Sequence, residues 1–272
     1  MQQLDLCSGV GAGFPLAGIM LKQFKLWGVA ETDEYCSNIL NLRFPNTRNY
    51  GDVQGITGRT SNYWFDRLKR DGIITASPPC QPFTIQGLRL GAADLRDCFP
   101  FITAAIAEYQ PRFFAIENVP GLLNCRFKPG TNTFYFAWLL NQFSECGYDV
   151  EWLTVSSGML GSPFRRERLL LVGFSRRIKF KEQPQSWAGQ VRSAVEEERN
   201  FTQGASLQPG ISREQFQSAY WLDRPTGRQI GIGVSSGNGV VRNRRAALGN
   251  ALDWKVASIG LRRILYLNSI AR

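Results

Sequence analysis

Cys80 sits in Pro78-Pro79-Cys80-Gln81-Pro82-Phe83, directly after the apolar run Gly72-Ile73-Ile74-Thr75-Ala76. Proline fixes its own backbone angle and restricts the residue before it, so this thiol is set on a stiff turn. The chain has no histidine. A histidine-activated thiol of the cysteine-protease kind is therefore excluded. Glu117 follows Arg112-Phe113-Phe114-Ala115-Ile116, where a carboxylate is poorly placed for solvation. A thiolate can add to an electron-poor ring carbon when a nearby acid supplies a proton or hydrogen bond to the ring. Taken alone, Cys80 reads more readily as a small core residue; the companion carboxylate is what makes it a candidate nucleophile.

A second set of residues has the character of a ligand loop. Asp5-Leu6-Cys7-Ser8-Gly9-Val10-Gly11-Ala12-Gly13-Phe14 reads as a strand, a glycine-rich turn and a helix start. The spacing is G-x-G-x-G, not the G-x-G-x-x-G of dinucleotide binders, and by itself it serves a tight structural turn equally well. Glu31 ends the next apolar stretch, where a carboxylate can take ribose hydroxyls. Asp52, in Gly51-Asp52-Val53, adds a third polar group at a strand end. Together these suit a nucleoside cofactor without a pyrophosphate, such as S-adenosylmethionine.

These positions need a frame that brings strand ends together. The first half alternates short apolar strands (3–6, 25–30, 73–76, 112–116) with helical patterns (14–23, 35–43, 99–108), and a longer amphipathic helix is expected over 133–146. Another strand is expected over 168–174, and a terminal amphipathic helix carries Val256, Ile259, Leu261, Ile264 and Leu265. Such alternation predicts an α/β layered domain, with ligands outside the carboxyl ends of the strands. Between about 175 and 245 the pattern changes to a proline- and glycine-punctuated, loop-rich module.

Length allows one large domain, or one with a small partner. No apolar run reaches the roughly 18 residues of a membrane span, and Met1-Gln2-Gln3 leads into a strand with no leader pattern. The expectation is a soluble, intracellular, cytoplasmic protein. The six cysteines form no C-x-x-C pair, which argues against zinc and, with the missing histidine, against zinc deaminase chemistry. Residues 1–150 carry 13 Lys+Arg and 13 Asp+Glu, whereas 151–272 carry 19 and 9, and 16 of those 19 cations are arginines. Arginine's planar fork suits phosphates and guanine edges, so the C-terminal excess points towards nucleic acid, with plain solubility as the alternative.

In this order the motifs resemble those of the DNA (cytosine-5)-methyltransferases over nearly the full length. The matches are Asp5–Phe14, Glu31, Asp52, Pro78-Pro79-Cys80-Gln81, Glu117-Asn118-Val119, Arg165-Arg166-Glu167-Arg168 and Gly249-Asn250-Ala251-Leu252. The resemblance implies a mixed, mostly parallel α/β sheet of the S-adenosylmethionine-dependent methyltransferase (Rossmann-like) type. Its catalytic domain would span 1–174 plus 246–272, with a small target-recognition domain over 175–245. It implies Cys80 attacking C6 of a flipped cytosine, because C5 is too poor a nucleophile until something adds there. Glu117 would serve N3 and the exocyclic amine, Arg168 would hold O2 and Arg166 would support the site.

The implied cofactor contacts are Asp5, Cys7, Gly9, Val10, Gly11, Glu31, Thr32, Asp52, Val53, Pro79, Asn250 and Ala251. The implied DNA contacts are Gln81, Thr84, Gln86, Arg89, Arg96, Asn118, Arg228, Arg242 and Arg244. Residues 81–96 resemble a mobile loop that closes on DNA, with Gly87 and Gly91 as hinges and Arg89 and Arg96 on phosphates. Also implied are S-adenosylhomocysteine as product, no metal, a monomer on double-stranded DNA and no membrane. Whether a cognate restriction endonuclease is encoded nearby stays open.

The chain departs from the family at Cys7, where Phe is usual, at Thr32, where a large apolar residue is usual, and at Phe164, where Gln is usual. An RNA cytosine methyltransferase on the same scaffold is the alternative, but the tRNA-methylating relatives carry Cys-Phe-Thr where this chain has Cys80-Gln81-Pro82. Amino-group methyltransferases place an aromatic after Pro-Pro. A non-catalytic DNA-binding module would not need Cys80, Glu117 and Arg168 together.

Overall fold

The computed structural model describes residues 1–58, 63–160, 162, 166–204 and 252–272. Seven strands make one sheet: β1 (Gln2–Leu6), β2 (Lys25–Ala30), β3 (Arg48–Asn49), β4 (Gly72–Ala76), β5 (Phe113–Asn118), β6 (Tyr148–Ser156) and β7 (Glu167–Ser175). Their spatial order is β3-β2-β1-β4-β5-β7-β6. The first five are parallel, and β7 runs antiparallel to both of its neighbours. β4 and β5 are buried throughout, as expected for parallel strands covered on both faces.

The helices are α1 (Phe14–Met20), α2 (Glu34–Arg43), α3 (Tyr63–Asp71), α4 (Phe99–Tyr109), α5 (Tyr135–Glu145), α6 (Trp187–Gly204) and α7 (Trp254–Ser269). The two-residue period of the strands sorts the core into two layers. Leu4, Leu6, Ile74, Ala76, Phe114, Ile116, Leu169 and Leu171 face α3, α4 and α5. Ile73, Phe113, Ala115, Leu170 and Val172 face α1, α6 and α7. Local chemistry sets the helix starts: Asp33 accepts from the Cys36 amide at 2.8 Å, Asp253 accepts from the Lys255 amide at 2.9 Å, and Pro100 stands in the first turn of α4.

Four features differ from the sequence reading or add to it. β6 is an edge strand whose exposed and half-buried residues dilute the apolar signal. α3 is short and strongly charged, with five charged residues among its nine. The helix expected over 133–146 starts two residues later, at Tyr135. α6 falls in the stretch read as a loop-rich module, yet Trp187, Val191 and Val195 are buried against α7 in the main core. A buried arginine locks this corner. Arg263 of α7 donates through Nε and Nη2 to the two oxygens of Glu151, each at 2.6 Å, and through Nη1 to Gln185 O and Gln190 Oε1 at 2.9 Å. No helix among the described residues is long and apolar enough to cross a membrane.

Candidate active site

Because β1 to β5 are parallel, their carboxyl ends lie along one edge of the sheet, and the candidate residues follow from there. A cavity of about 410 Å³ opens at this edge. Of the sequence-predicted residues, Asp5, Cys7, Gly9, Val10, Glu31, Thr32, Asp52, Val53, Pro79, Cys80, Gln81, Arg96, Glu117, Arg166 and Arg168 line it. The turn after β1, the two carboxylates after β2 and β3, the thiol after β4 and the acid of β5 therefore share one space.

The antiparallel strand supplies the arginines. β7 begins where β5 ends, and Glu117 pairs with Leu170. Arg168 lies two residues away on the same face, which puts it diagonally across from Glu117. Arg168 Nε meets Glu117 Oε1 at 2.6 Å, and Nη1 donates to the Glu167 carbonyl at 2.8 Å. Burial raises the Glu117 pKa above the ordinary carboxylate value, opposed by Arg168 and then Arg166. Burial, then the Glu117 charge, raises the Cys80 thiol, while Arg168 and Arg166 pull it down. Arg166 is lowered by its own burial and then by Arg168, and its amide donates to Ser157 Oγ at 3.3 Å.

The cofactor end is a chain of hydrogen bonds. Gln3 Nε2 donates to Thr75 Oγ1 at 3.0 Å, and Thr75 donates to Asp5 Oδ1 at 2.5 Å. Burial outweighs that bond and holds the Asp5 pKa up to about 7. Glu31, expected to face ribose hydroxyls, also organises its surroundings: it accepts from the amides of Gly9 at 2.7 Å, Thr32 at 2.9 Å and Asp33 at 2.8 Å. Asp52 caps a short 3-10 turn through the Gln54 amide at 2.9 Å.

Other expected residues turn inward. Gly11 has φ +72, and a Cβ there would come within 2.5 Å of the Phe44 ring, so it makes room for packing and is not part of the cavity wall. Asn118, expected to contact DNA, is buried, and its Nδ2 donates to the Pro78 carbonyl at 3.2 Å. That bond ties the end of β5 to the turn bearing Cys80. Arg89 donates to Gly121 O at 3.0 Å and Asn124 Oδ1 at 2.5 Å, and Arg96 forks onto Asp94 at 2.9 and 2.8 Å. Thr84 donates its amide to the Cys80 carbonyl at 2.9 Å, and Gln86 is exposed. The loop is anchored by buried Phe83 and by Gly91, where a Cβ would meet the Arg126 carbonyl at 2.5 Å.

Asn250, Ala251, Phe164, Arg165, Arg228, Arg242 and Arg244 lie outside the described residues. Leu252, next in the closing motif, packs on Gly13 and lines the cavity. The sequence reading missed Thr75, signalled only as a polar residue in a buried strand, and Cys98, which lines the cavity from the position before α4.

The wall chemistry fits a nucleoside cofactor bearing positive charge. Asp5, Glu31 and Asp52 offer carboxylates, and Gln81 Oε1 is buried without a hydrogen-bond partner among the described residues. Among those residues no cluster of His, Cys, Asp and Glu could hold a metal ion.

This strand order, with its antiparallel β7 and its cavity at the parallel strand ends, defines an S-adenosylmethionine-dependent methyltransferase fold of the Rossmann-like type. It is shared with the crystal structure of a DNMT2 triple mutant from Spodoptera frugiperda, at TM-score 0.62 and 15% identity, covering 97% of this chain and 99% of that one. A putative DNA modification methyltransferase encoded within an Escherichia coli prophage shares it at TM-score 0.52 and 24% identity, covering 67% and 49%.

In sequence, the C-5 cytosine-specific DNA methylase profile matches residues 1–228, and the chain belongs to that family. It is 30% identical over 174 residues to the type II methyltransferase M.AplI of Arthrospira platensis, covering 63% of this chain and 45% of that protein. It is 31% identical over 183 residues to the type II methyltransferase M.NgoBI of Neisseria gonorrhoeae, covering 65% and 51%. These matches span about half the length of the two relatives.

Proposed function

We propose that this protein transfers a methyl group to C5 of cytosine in double-stranded DNA, through a covalent bond between Cys80 and C6. The observation that carries this reading is the convergence of the Cys80 thiol, the buried Glu117–Arg168 pair and the carboxylate-rich turn on one cavity. S-adenosylmethionine, held by Asp5, Glu31 and Asp52 with the turn at Cys7, Gly9 and Val10, would supply an electrophilic methyl group. Thr32, Val53 and Pro79 complete that wall, and Asn250 and Ala251 belong to the same proposal.

Cys80 adds to C6 as a thiolate, and the electron pair displaced from the C5–C6 bond makes C5 nucleophilic. Glu117, whose pKa is raised by burial, would serve N3 as the acid, so that negative charge does not build up on the ring. Arg168 serves twice: it orients Glu117 through Nε and offers charge to the pyrimidine O2. Once C5 carries the methyl group, loss of the C5 proton to water expels the thiolate, N3 returns its proton to Glu117, and the ring is restored. The rigid Pro78-Pro79 turn and the Asn118 bond to Pro78 hold the sulfur in position, so little reorganisation is needed at the moment of attack.

The base must leave the duplex to reach Cys80, at a cost of a few kcal/mol. Gln81, Thr84, Gln86, Arg89 and Arg96 belong to the segment proposed to meet DNA beside the site, and Arg228, Arg242 and Arg244 to the region proposed to follow phosphates and read the sequence. Since α6 packs in the main core, the proposed recognition module begins after it. The proposed setting is the cytoplasm of a bacterial, archaeal or phage-infected cell, with the enzyme acting as a monomer.

The test is mechanism-based trapping. Duplex DNA containing 5-fluorocytosine should form a denaturation-resistant complex with the protein and S-adenosylmethionine, because fluorine cannot leave as a proton does. The adduct should map to Cys80 and vanish in Cys80→Ala. Trapping that survives Cys80→Ala, or occurs on RNA and not on DNA, overturns the reading.

A further inference from the structure

Gln3, Asp5 and Thr75 are polar residues on a sheet face built mainly of apolar ones. Asp5 pairs with Thr75 across β1 and β4, and Gln3 lies two residues before Asp5 on the same side, the side that carries Ile73, Phe113 and Ala115. All three are buried. α1 makes room for them at Gly18, where a Cβ would come within 2.3 Å of Gln3 Oε1. That oxygen is itself buried and has no hydrogen-bond partner among the described residues. A buried amide with an unmet carbonyl costs stability, so architecture alone does not explain Gln3. Its Nε2 donates to Thr75, Thr75 donates to Asp5, and of the three only Asp5 lines the cavity.

We propose that Thr75, backed by Gln3, is a positioning residue for cofactor binding, whose hydroxyl holds the Asp5 carboxylate at the cavity wall as an acceptor for the positive charge of the cofactor. This role follows from the reading of the cavity as the S-adenosylmethionine site. A hydroxyl has one proton to give. With Gln3 Nε2 donating to Thr75 Oγ1 at 3.0 Å, that proton is directed to Asp5 Oδ1 at 2.5 Å. A hydrogen bond donated to a carboxylate favours its ionised form.

The rest of the surroundings work against that form. Burial pushes the Asp5 carboxyl up to about 7, and the like charge of Glu31 after β2 adds to it, while Thr75 and then Ser8 pull it down. α1 and β4 contain no ionisable residue, and the turn after β1 contributes the Cys7 thiol. Leu68 of the charged α3 packs with Leu4 and Leu6, on the opposite face of β1. Arg166 and Arg168 line the cavity but act on Glu117. Affinity for a cationic ligand should therefore rise with pH as Asp5 ionises, around about 7. Removing the Thr75 donor should move that rise to higher pH. A change that merely disturbed packing would lower affinity equally at every pH.

The experiment measures the dissociation constant of S-adenosylmethionine by calorimetry, without DNA, from about pH 5.5 to about pH 8.5. The ligand's own amino group titrates alike against every variant, so the difference between variants is what is read. Thr75→Val nearly keeps the shape and loses the hydroxyl. It should weaken binding about fivefold at about pH 7 and about tenfold at about pH 6, a rise displaced by about one pH unit. Thr75→Ser should restore the native profile. Gln3→Met should displace the profile in the same direction by less, with a thermal midpoint at or above the native one, because the unmet carbonyl is gone. An undisplaced profile in Thr75→Val, a loss equal at every pH, or a Thr75→Ser profile no better than that of Thr75→Val overturns the proposal. Should Thr75→Val fail to fold, an undisplaced profile in Gln3→Met overturns it. If the native protein binds no S-adenosylmethionine at any pH, the cofactor reading fails and this role with it; native binding with undisplaced variants overturns the role of Thr75 alone.

Discussion

Two arginine–carboxylate pairs, each with one buried member, show how similar parts are put to different ends. Arg263 and Glu151 tie α7 to the edge strand β6: two guanidinium nitrogens meet two carboxylate oxygens, and a third nitrogen is spent on Gln185 and Gln190. Arg168 and Glu117 tie β7 to β5 through Nε, and both line the cavity. In the first pair the arginine's fork is filled by protein, and its side chain is only 1% exposed. In the second, burial raises the acid towards its protonated form while the arginine holds its orientation. A pair whose hydrogen bonds are met by protein serves architecture, whereas one that opens on a cavity and raises the pKa of its acid is equipped for chemistry.

The sharpest way to break this comparison is to exchange each acid for a neutral residue. Glu117→Gln should lower turnover by about 10²- to 10⁴-fold, the range for a lost general acid, with S-adenosylmethionine affinity retained. Equal losses in both measurements would make Glu117 structural, like its counterpart.

Glu151→Leu should do the reverse. It leaves the Arg263 charge buried with amide partners alone and should cost about 3–5 kcal/mol of unfolding free energy in urea titration, with turnover per folded molecule kept. Arg263→Met should cost less, because the Glu151 side chain is 31% exposed and can be hydrated. The opposite order would mean that the charge on Arg263 is not what holds the corner.

A finer contrast concerns pH. The Glu117 charge raises the Cys80 pKa and Arg168 lowers it, so removing the carboxylate should move the midpoint of Cys80 alkylation to lower pH. Peptide-resolved alkylation across a pH series reads this in Glu117→Gln, and an unmoved midpoint would uncouple the two groups. Glu151→Leu should leave the Cys80 midpoint where it is.

The smallest expected effect is on Asp5, which is buried without an arginine. Its pKa is about 7 in the fold against 3.8 for the free group, so between these values the folded state binds more protons than the unfolded one. The associated stability is fully present below the lower value and is lost as pH rises through about 7. Asp5→Asn should flatten the decline in thermal midpoint between about pH 5 and pH 8 and weaken cofactor binding. A decline as steep as the native one would assign it to another group.

Much of the site was legible in residue order, because strand, turn and strand-end residues recur where a parallel sheet must present them. Asp5, Glu31, Asp52, Cys80 and Glu117 were all found in this way, and they do line one cavity. Asn118 and Arg89 were legible as polar residues near the site but not in their partners, since a bond to the Pro78 carbonyl or to Asn124 depends on which loops come to lie together. β6 escaped because an edge strand alternates weakly, and α6 escaped because its length and apolar spacing lie among loop signals.

Local chemistry written in the chain determined the stiff Pro78-Pro79-Cys80 turn, the period-two strands and the acid in an apolar strand, since proline geometry and burial pattern act over a few residues. Only the tertiary structure decided what those groups meet. The antiparallel entry of β7 put Arg168 beside Glu117 across 51 positions of sequence. The folding of the β4 and β5 ends towards each other brought Asn118 to the Pro78 carbonyl across 40. Register and chain reversal set such pairings, and no short stretch of sequence contains either one.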